Sequence, residues 1–116
     1  MSINRYGVQA RMSQAVVYNG VGYLSGQVSD EPDYKSVKEQ TVEVLQKLEK
    51  LIAEVGSDKT KVLMANIWLS DITSFNEMNA VWDEWVADGH APSRATVEAK
   101  LATPNHKVEI AFVVAV

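Results

Sequence analysis

The sequence predicts an α+β domain in which two helices pack on one face of a mixed β-sheet. Two segments carry apolar residues at helical spacing, and five carry the alternating or continuous apolar residues typical of strands. Their order is β-β-α-β-α-β-β, so each helix is a crossover between strands, and we expect both helices on the same face. A chain of 116 residues suits one domain, so residues 1–116 are predicted to form a single domain.

The first two strands are predicted to form a hairpin over residues 15–28. Asn19-Gly20 separates them and suits the positive φ angles of a type I′ turn. Gly22 and Gly26 lie inside the second strand, where glycine weakens packing unless it serves a bulge or a close approach of another segment. We therefore expect one of these two features in this strand.

The first helix is predicted between an N-cap at Asp33 and a terminating Gly56. Its apolar positions are Val37, Thr41, Val44, Leu45, Leu48, Leu51, Ile52 and Val55. The following segment, residues 61–70, is apolar on both sides apart from Asn66. Such a run predicts a central strand that is covered on two faces.

The second helix is predicted to open at a Ser74-x-x-Glu77 capping box and to end at Gly89. Its apolar stripe comprises Phe75, Met78, Trp82, Trp85 and Val86. Asn79 falls within this stripe, and a polar amide in such a place must find hydrogen-bond partners. Asn79 is therefore a candidate for a site as well as for the core.

Two strands are predicted after Pro92, over residues 94–101 and 107–116. One face of the last strand carries Val108, Ile110, Phe112, Val114 and Val116. Its other face begins with Lys107 and Glu109 and then becomes apolar. Because both helices cover the opposite face, we expect another copy of the chain to cover this one.

Composition excludes several kinds of site. The formal net charge of −4 argues against nucleic acid as a partner, and the absence of cysteine excludes disulfides and thiolate chemistry. His90 and His106 lack the spacing of metal ligands, so no metal is predicted, and His90 is interpreted as a loop residue. Without a signal-like segment or an apolar run of about 18 residues, we expect no membrane association and a cytoplasmic location.

Arg94 and Glu109 are the charged residues that packing explains least. Arg94 is either a surface arginine paired with Glu98 or Glu109, or a fork that binds a small carboxylate through two parallel hydrogen bonds. Glu109 is either a residue of the strand without a functional role or a carboxylate that orients water. The amide of Asn79 within an apolar stripe favours the functional interpretation of both Arg94 and Glu109.

Four motifs in this sequence resemble those of the Rid family, the reactive intermediate deaminases that include the RidA-like imine and enamine hydrolases. They are Leu24-Ser25-Gly26-Gln27, Asn79 within a helix, Ala91-Pro92-Ser93-Arg94-Ala95-Thr96-Val97 and Val108-Glu109-Ile110. The Pro-x-Arg segment with a glutamate fifteen residues after the arginine is the most specific part. The similarity runs over nearly the whole chain and is closest to a small bacterial branch distinct from RidA itself.

The resemblance implies a chorismate-mutase-like fold assembled as a homotrimer, with three sheets around a central barrel-like core and the helices outside. It implies hydrolysis of 2-imino acids or enamines to 2-keto acids and ammonia in clefts between subunits, without metal or cofactor. Arg94 would bind the carboxylate of this small-molecule substrate, and Glu109 would position water. The other positions that line the cleft are Ser25, Asn79, Met12 and the backbone of Thr96.

The chain departs from the RidA pattern at one position. Met12 stands where a tyrosine lines the RidA cleft, which leaves the substrate range open, and the adjacent Arg11 is a candidate for favouring more acidic substrates. The alternative function is a non-catalytic trimer that binds a carboxylate metabolite in the same cleft. RNA cleavage or translation inhibition, reported for some family members, is disfavoured by the acidic charge and by the lack of a basic, aromatic-interleaved patch.

Overall fold

The computed structural model describes residues 2–116 and shows a mixed six-stranded sheet with two helices packed on one face. The strands are β1 (Asn4–Tyr6), β2 (Ala15–Tyr18), β3 (Val21–Gln27), β4 (Val62–Leu69), β5 (Ser93–Glu98) and β6 (Val108–Ala115). Their order across the sheet is β1-β2-β3-β6-β4-β5. Helix α1 (Val37–Glu54) joins β3 to β4, and helix α2 (Phe75–Trp85) joins β4 to β5. The predicted α+β class with two crossover helices is confirmed.

Strand β1 is not predicted from the sequence. Its three residues pair with β2 in antiparallel register, with Asn4 opposite Val17 and Tyr6 opposite Ala15. Three residues are too few for an alternating pattern to stand out, so only the pairing identifies this strand. At the other edge of the sheet, β5 ends at Glu98 although the apolar alternation continues to residue 101.

Helix α1 begins three residues later than predicted, because Ser36 is its N-cap. Ser36 Oγ accepts from the Glu39 N–H at 3.1 Å, and Glu39 Oε1 accepts from the Ser36 N–H at 3.0 Å, which completes a capping box. The prediction of Asp33 as the cap is wrong, since its carboxylate accepts instead from Asn105 Nδ2 at 2.6 Å. Gly56 follows the helix with a φ of +81°, as a C′ glycine should.

Helix α2 lacks the predicted capping box. The Ser74 hydroxyl donates to a carbonyl of the preceding turn, and Glu77 Oε2 accepts from the Lys38 backbone N–H at 2.9 Å. Glu77 therefore ties the first turn of α2 to the first turn of α1. The helix ends at Trp85, four residues before the predicted Gly89. No helix within residues 2–116 is long and apolar enough to cross a membrane.

The hydrophobic core lies between the sheet and the two helices. On β6, the buried side chains alternate as predicted, and Phe112 is at its centre. The Phe112 ring packs against Trp82 and Trp85 of α2, with ring centres 6.1 and 5.6 Å away. This packing fixes which face of β6 points toward the helices.

The second face of the sheet, called the open face below, carries apolar side chains without a helix to cover them. Tyr23 on β3, Met64 on β4 and Val97 on β5 are 52%, 38% and 50% exposed. The residues of β6 on this face, from Glu109 to Ala115, are half-buried. An apolar, solvent-exposed sheet face of this kind agrees with the prediction that the helices leave one face uncovered.

Candidate active site

The Arg94 side chain lies on the helix side of β5, where three residues of α2 hold it. Its guanidinium carbon is 5.3 Å from the ring centre of Trp82 and 5.8 Å from that of Phe75. Arg94 Nη1 donates a hydrogen bond of 2.7 Å to Asn79 Oδ1. The amide of Asn79 therefore has the partner that its place in an apolar stripe predicts. Two aromatic rings and one amide oxygen together fix the plane of the guanidinium.

Arg94 forms no ion pair with any acidic residue in the described part of the chain. Glu98, a predicted partner in the surface-arginine interpretation, accepts instead from the Ile72 backbone N–H at 3.1 Å. A guanidinium carries five N–H donors, and the Asn79 contact uses only one of its edges. The positive charge and the remaining donors are therefore suited to an external carboxylate.

Thr96 lies on the same face of β5 as Arg94. Its hydroxyl oxygen is buried and has no hydrogen-bond partner within residues 2–116. On the neighbouring strand it pairs with the buried Ile67. The side chain of Thr96 therefore sits in an apolar setting that supplies no hydrogen bond to its hydroxyl.

Glu109 lies on the open face of β6, next to Gly26 of β3. A Cβ atom built on Gly26 would lie 3.1 Å from Glu109 Cδ and 3.2 Å from Cγ, and closer still to Oε2. Between Leu24 and Gln27 the β3–β6 register shifts, so two residues of β3 oppose one residue of β6. Both features predicted for the glycines, a bulge and a close approach, are thus present at Gly26.

Ser25 precedes Gly26 in this bulge and is bound to the segment of residues 7–14, called loop 7–14 below. Ser25 Oγ donates to the Ser13 carbonyl at 2.6 Å, and the Ser25 N–H donates to the Gln14 carbonyl at 2.9 Å. Met12 belongs to the same loop and is 40% exposed, and its carbonyl accepts from the Gln9 N–H at 2.7 Å. Ser25 is thus tied to the loop that carries Met12, and it directly precedes Gly26, the residue beside Glu109.

Arg94 and Glu109 lie on opposite faces of the sheet. Arg94 is paired with Ala65 of β4, and Glu109 is paired with Trp68 of the same strand. Residues three apart on a strand point to opposite faces. The predicted site residues therefore divide into two groups within one chain, with Arg94, Asn79 and Thr96 on the helix side and Glu109 on the open face.

Two titratable groups outside these two groups, His106 and Glu43, have structural partners. His106 is buried, with Nε2 3.0 Å from the Ser29 carbonyl and Nδ1 2.7 Å from Thr103 Oγ1. Burial raises the pKa of Glu43, but hydrogen bonds from the Ser29 hydroxyl, the Asp30 N–H and the Lys35 ammonium outweigh it and lower that pKa to about 2. Among residues 2–116, no three His, Asp or Glu side chains are grouped as metal ligands.

Two contacts of the site are not predicted from the sequence. Phe75 and Trp82 were assigned only to the apolar stripe of α2, yet both flank the Arg94 guanidinium. The contact of Gly26 with Glu109 joins two strands that are more than eighty residues apart in the chain. The sequence carries one signal for each contact. Phe75 lies four positions before Asn79 on the helix, and Gly26 is a glycine inside a strand.

Comparison with known proteins identifies the family. The family model described as Endoribonuclease L-PSP matches residues 2–116. The RutC family protein YoaB of Escherichia coli is 41% identical over 116 residues, which is 100% of both chains. This chain belongs to the Rid/YjgF family. The resemblance stated from the sequence motifs is thereby confirmed.

Solved structures of Rid/YjgF proteins share the fold. A YjgF-family protein from Neisseria meningitidis is 45% identical and superimposes with a TM-score of 0.95, covering 99% of this chain and 95% of that one. The Rid-family protein YyfA from Yersinia pestis is 26% identical with a TM-score of 0.86, covering 94% of this chain and 90% of that one. The arrangement of two helices on a mixed sheet is therefore the Rid/YjgF fold.

Proposed function

We propose that this protein hydrolyses reactive 2-imino acids, and their enamine tautomers, to 2-keto acids and ammonia. The observation that carries the proposal is the geometry around Arg94. Its guanidinium is held by Asn79, Phe75 and Trp82 and has no acidic partner within residues 2–116. A fixed and unpaired guanidinium suits two parallel hydrogen bonds to a substrate carboxylate.

The proposal includes a homotrimer, because Arg94 and Glu109 lie on opposite faces of one sheet. A small substrate cannot reach both side chains of the same chain through the sheet. A neighbouring subunit that packs on the open face could bring its own Arg94 close to Glu109 of the first subunit. The exposed apolar side chains of Tyr23, Met64 and Val97 support such packing.

The chemistry needs positioning and proton transfer, because the carbon of an imine is already electrophilic. Glu109 accepts a proton from water while the water oxygen bonds to this carbon, and it passes this proton on to the imine nitrogen. The resulting carbinolamine expels ammonia as its C–N bond breaks and its hydroxyl loses a proton to become the keto group. One water is consumed and one ammonia is released. An enamine first gains a proton at its β-carbon to become the imine.

Ser25, Met12, Asn79 and Thr96 complete the proposed cleft. Asn79 orients the guanidinium, and Ser25 lies beside Gly26, the glycine that contacts Glu109. Met12 offers no hydroxyl at the position where RidA carries a tyrosine, so in this protein the thioether and Arg94 would govern substrate choice. No metal or cofactor is part of the proposed reaction.

A non-catalytic module that binds a carboxylate is the second candidate. It would use the same Arg94 geometry, and the absence of a tyrosine at Met12 favours it. RNA cleavage, the activity in the name of the family model, is disfavoured by the net charge of −4, since binding to phosphates depends on Lys and Arg. An RNA-binding isotherm that strengthens as salt is lowered would revive that third function.

The deciding experiment is the rate of imine loss and ammonia release in the presence of this protein. An amino-acid oxidase generates 2-imino acids in place from several amino acids, and wild type is compared with Arg94→Ala, Arg94→Lys and Glu109→Gln. We expect acceleration with wild type, loss of acceleration in Arg94→Ala, and little recovery in Arg94→Lys, because an ammonium lacks the planar fork. Lys50→Ala, which removes an exposed cation from α1, is the matched control and should keep full activity.

Two outcomes of this experiment separate the candidate functions. Acceleration that depends on Arg94 and Glu109 supports the deaminase. Wild type that binds 2-keto acids through Arg94 but accelerates nothing would be the carboxylate-binding module. Sedimentation velocity on the same samples checks the trimer, and a monomer with full activity would contradict the shared cleft.

A further inference from the structure

Gln27, the last residue of β3, is a buried amide that no part of the proposed reaction uses. It is 7% exposed, and its Nε2 donates to Gln14 Oε1 at 3.0 Å and to the Ser25 carbonyl at 3.1 Å. A buried amide is costly unless it is hydrogen-bonded, so these two contacts fix its side chain. One of them reaches loop 7–14, and the other reaches the bulge of β3.

Gln14 is the residue through which loop 7–14 is attached to the sheet. Its N–H donates to the Tyr6 carbonyl at 2.9 Å, and its carbonyl accepts from the Ser25 N–H at 2.9 Å. A Cβ atom on Gly7 would lie 2.7 Å from Gln14 Cγ, and Gly7 has a φ of +59°. The Gln14 side chain is therefore packed closely at the neck of the loop, where Gln27 holds its amide oxygen.

The bulge that Gln27 contacts carries the glycine on which the Glu109 carboxylate rests. The Ser25 carbonyl accepts from Gln27, and the next residue, Gly26, contacts Glu109. A bulge re-aims side chains and leaves backbone groups outside the regular ladder, so its shape depends on contacts of this kind. Gln27 is thus the residue directly after Gly26, against which Glu109 is held.

We propose that Gln27 is a positioning residue, which fixes the bulge and loop 7–14 together so that Glu109 and Ser25 keep one geometry. Its catalytic consequence rests on the proposed imine hydrolysis, whereas the mechanical coupling does not. Gln27 touches neither substrate nor water in this proposal. It acts through Gln14 on the loop and through the Ser25 carbonyl on the bulge.

The coupling is tested by hydrogen exchange at the Ser25 amide, which donates to Gln14. Gln27→Met keeps the size of the side chain and removes both hydrogen bonds, and Gln14→Met removes the partner in the loop. We expect Ser25 to exchange at least tenfold faster in both variants, while the Asn66 amide at the centre of β4 keeps its wild-type rate. An unchanged Ser25 rate in Gln27→Met would overturn the coupling, whether or not the protein is a deaminase.

The catalytic consequence is tested by kinetics in two backgrounds. Gln27→Met should lower kcat about tenfold and leave KM within twofold, because in the proposed trimer the Arg94 that binds the carboxylate comes from the neighbouring subunit. In a Glu109→Gln background the same change should lower kcat by less than twofold, since most of its effect on kcat passes through Glu109. Equal losses in both backgrounds would indicate a merely structural role and would reject the proposal.

A second variant covers the case in which Gln27→Met does not fold. Gln27→Glu can donate neither to Gln14 Oε1 nor to the Ser25 carbonyl, and it can only accept from a reoriented Gln14 amide. It should speed exchange at Ser25 and lower kcat, as Gln27→Met does. If wild type hydrolyses no imine while exchange responds as expected, the proposed function fails and the coupling stands.

Discussion

Glu109 holds its carboxylate against the backbone of Gly26, on the sheet face that the helices leave open. The space that a Cβ on Gly26 would need is filled by the carboxyl end of Glu109. Gly26→Ala should therefore displace this flexible end and destabilise the fold by about 1 kcal/mol, the low end of the cost of overpacking. We expect imine hydrolysis to fall about tenfold or more, measured as ammonia release per mole of protein chain.

Gly22→Ala is the matched control for this change, because it adds the same methyl group four residues earlier on β3. Its Cβ would lie 3.0 Å from Val114 Cγ2 and 3.2 Å from Val116 Cγ2. We expect a lower melting temperature and wild-type kcat for the folded fraction. Wild-type kcat in Gly26→Ala would show that the position of Glu109 does not matter for turnover.

The hydrogen bond between Asn79 and Arg94 predicts a separable effect on substrate binding. Asn79→Ala removes a bond to a charged group, and we expect KM to rise about tenfold because the guanidinium loses its orientation. Asn79→Asp should weaken binding further while keeping the protein folded, since its carboxylate would pair with Arg94 and compete with the substrate. Steady-state kinetics on one 2-imino acid distinguish the two variants. Tighter binding in Asn79→Asp would contradict the assignment of Arg94 as the carboxylate site.

The unpaired hydroxyl of Thr96 predicts a stabilising substitution. Thr96→Val keeps the branched shape and removes a buried polar group without a partner in residues 2–116, so the free energy of unfolding should rise by about 1 kcal/mol. Thr41→Val is the control, because Thr41 Oγ1 donates to the Val37 carbonyl at 2.7 Å and its loss should destabilise by about 1 kcal/mol. Thermal unfolding of both variants gives the comparison. A rise of KM in Thr96→Val would mean that the hydroxyl, and not only the backbone, meets the substrate.

The lowered pKa of Glu43 predicts how the free energy of unfolding depends on pH. Its folded pKa of about 2 lies below the ordinary value of 4.5, so its contribution is fully present above about pH 5 and is lost as pH falls from 4.5 toward 2. Since the side chain is 23% exposed, we expect solvent screening to limit this contribution to about 1–2 kcal/mol. Urea unfolding at pH 6, 4 and 3 should show the decline in wild type and a flatter profile in Glu43→Gln. The exposed Glu49 on the same helix is the control, and a decline that is equally steep in Glu43→Gln would remove Glu43 as its cause.

The sequence was most informative where the pattern is local. The apolar stripe of α1, the doubly apolar β4 and the alternation of β6 predicted those elements, because each depends on spacing within one segment. Asn19 and Gly20 have positive φ, as their turn was predicted to require. Helix caps were less predictable, since Asp33 and Ser36 are both good N-cap residues. The tertiary contact of Asp33 with Asn105 leaves Ser36 as the cap.

By itself, the sequence determined the α+β class, the two crossover helices and the motifs that mark the Rid/YjgF family. It also indicated that Asn79 needs a partner, that Gly26 marks a bulge or close approach, and that one sheet face lacks a helix. Only the tertiary structure decided that Arg94 lies under α2, that Glu109 faces away from it, and that Gly26 receives the carboxylate. The physical reason is that strand register and helix placement join residues far apart in the chain, and spacing within a segment carries no information about either.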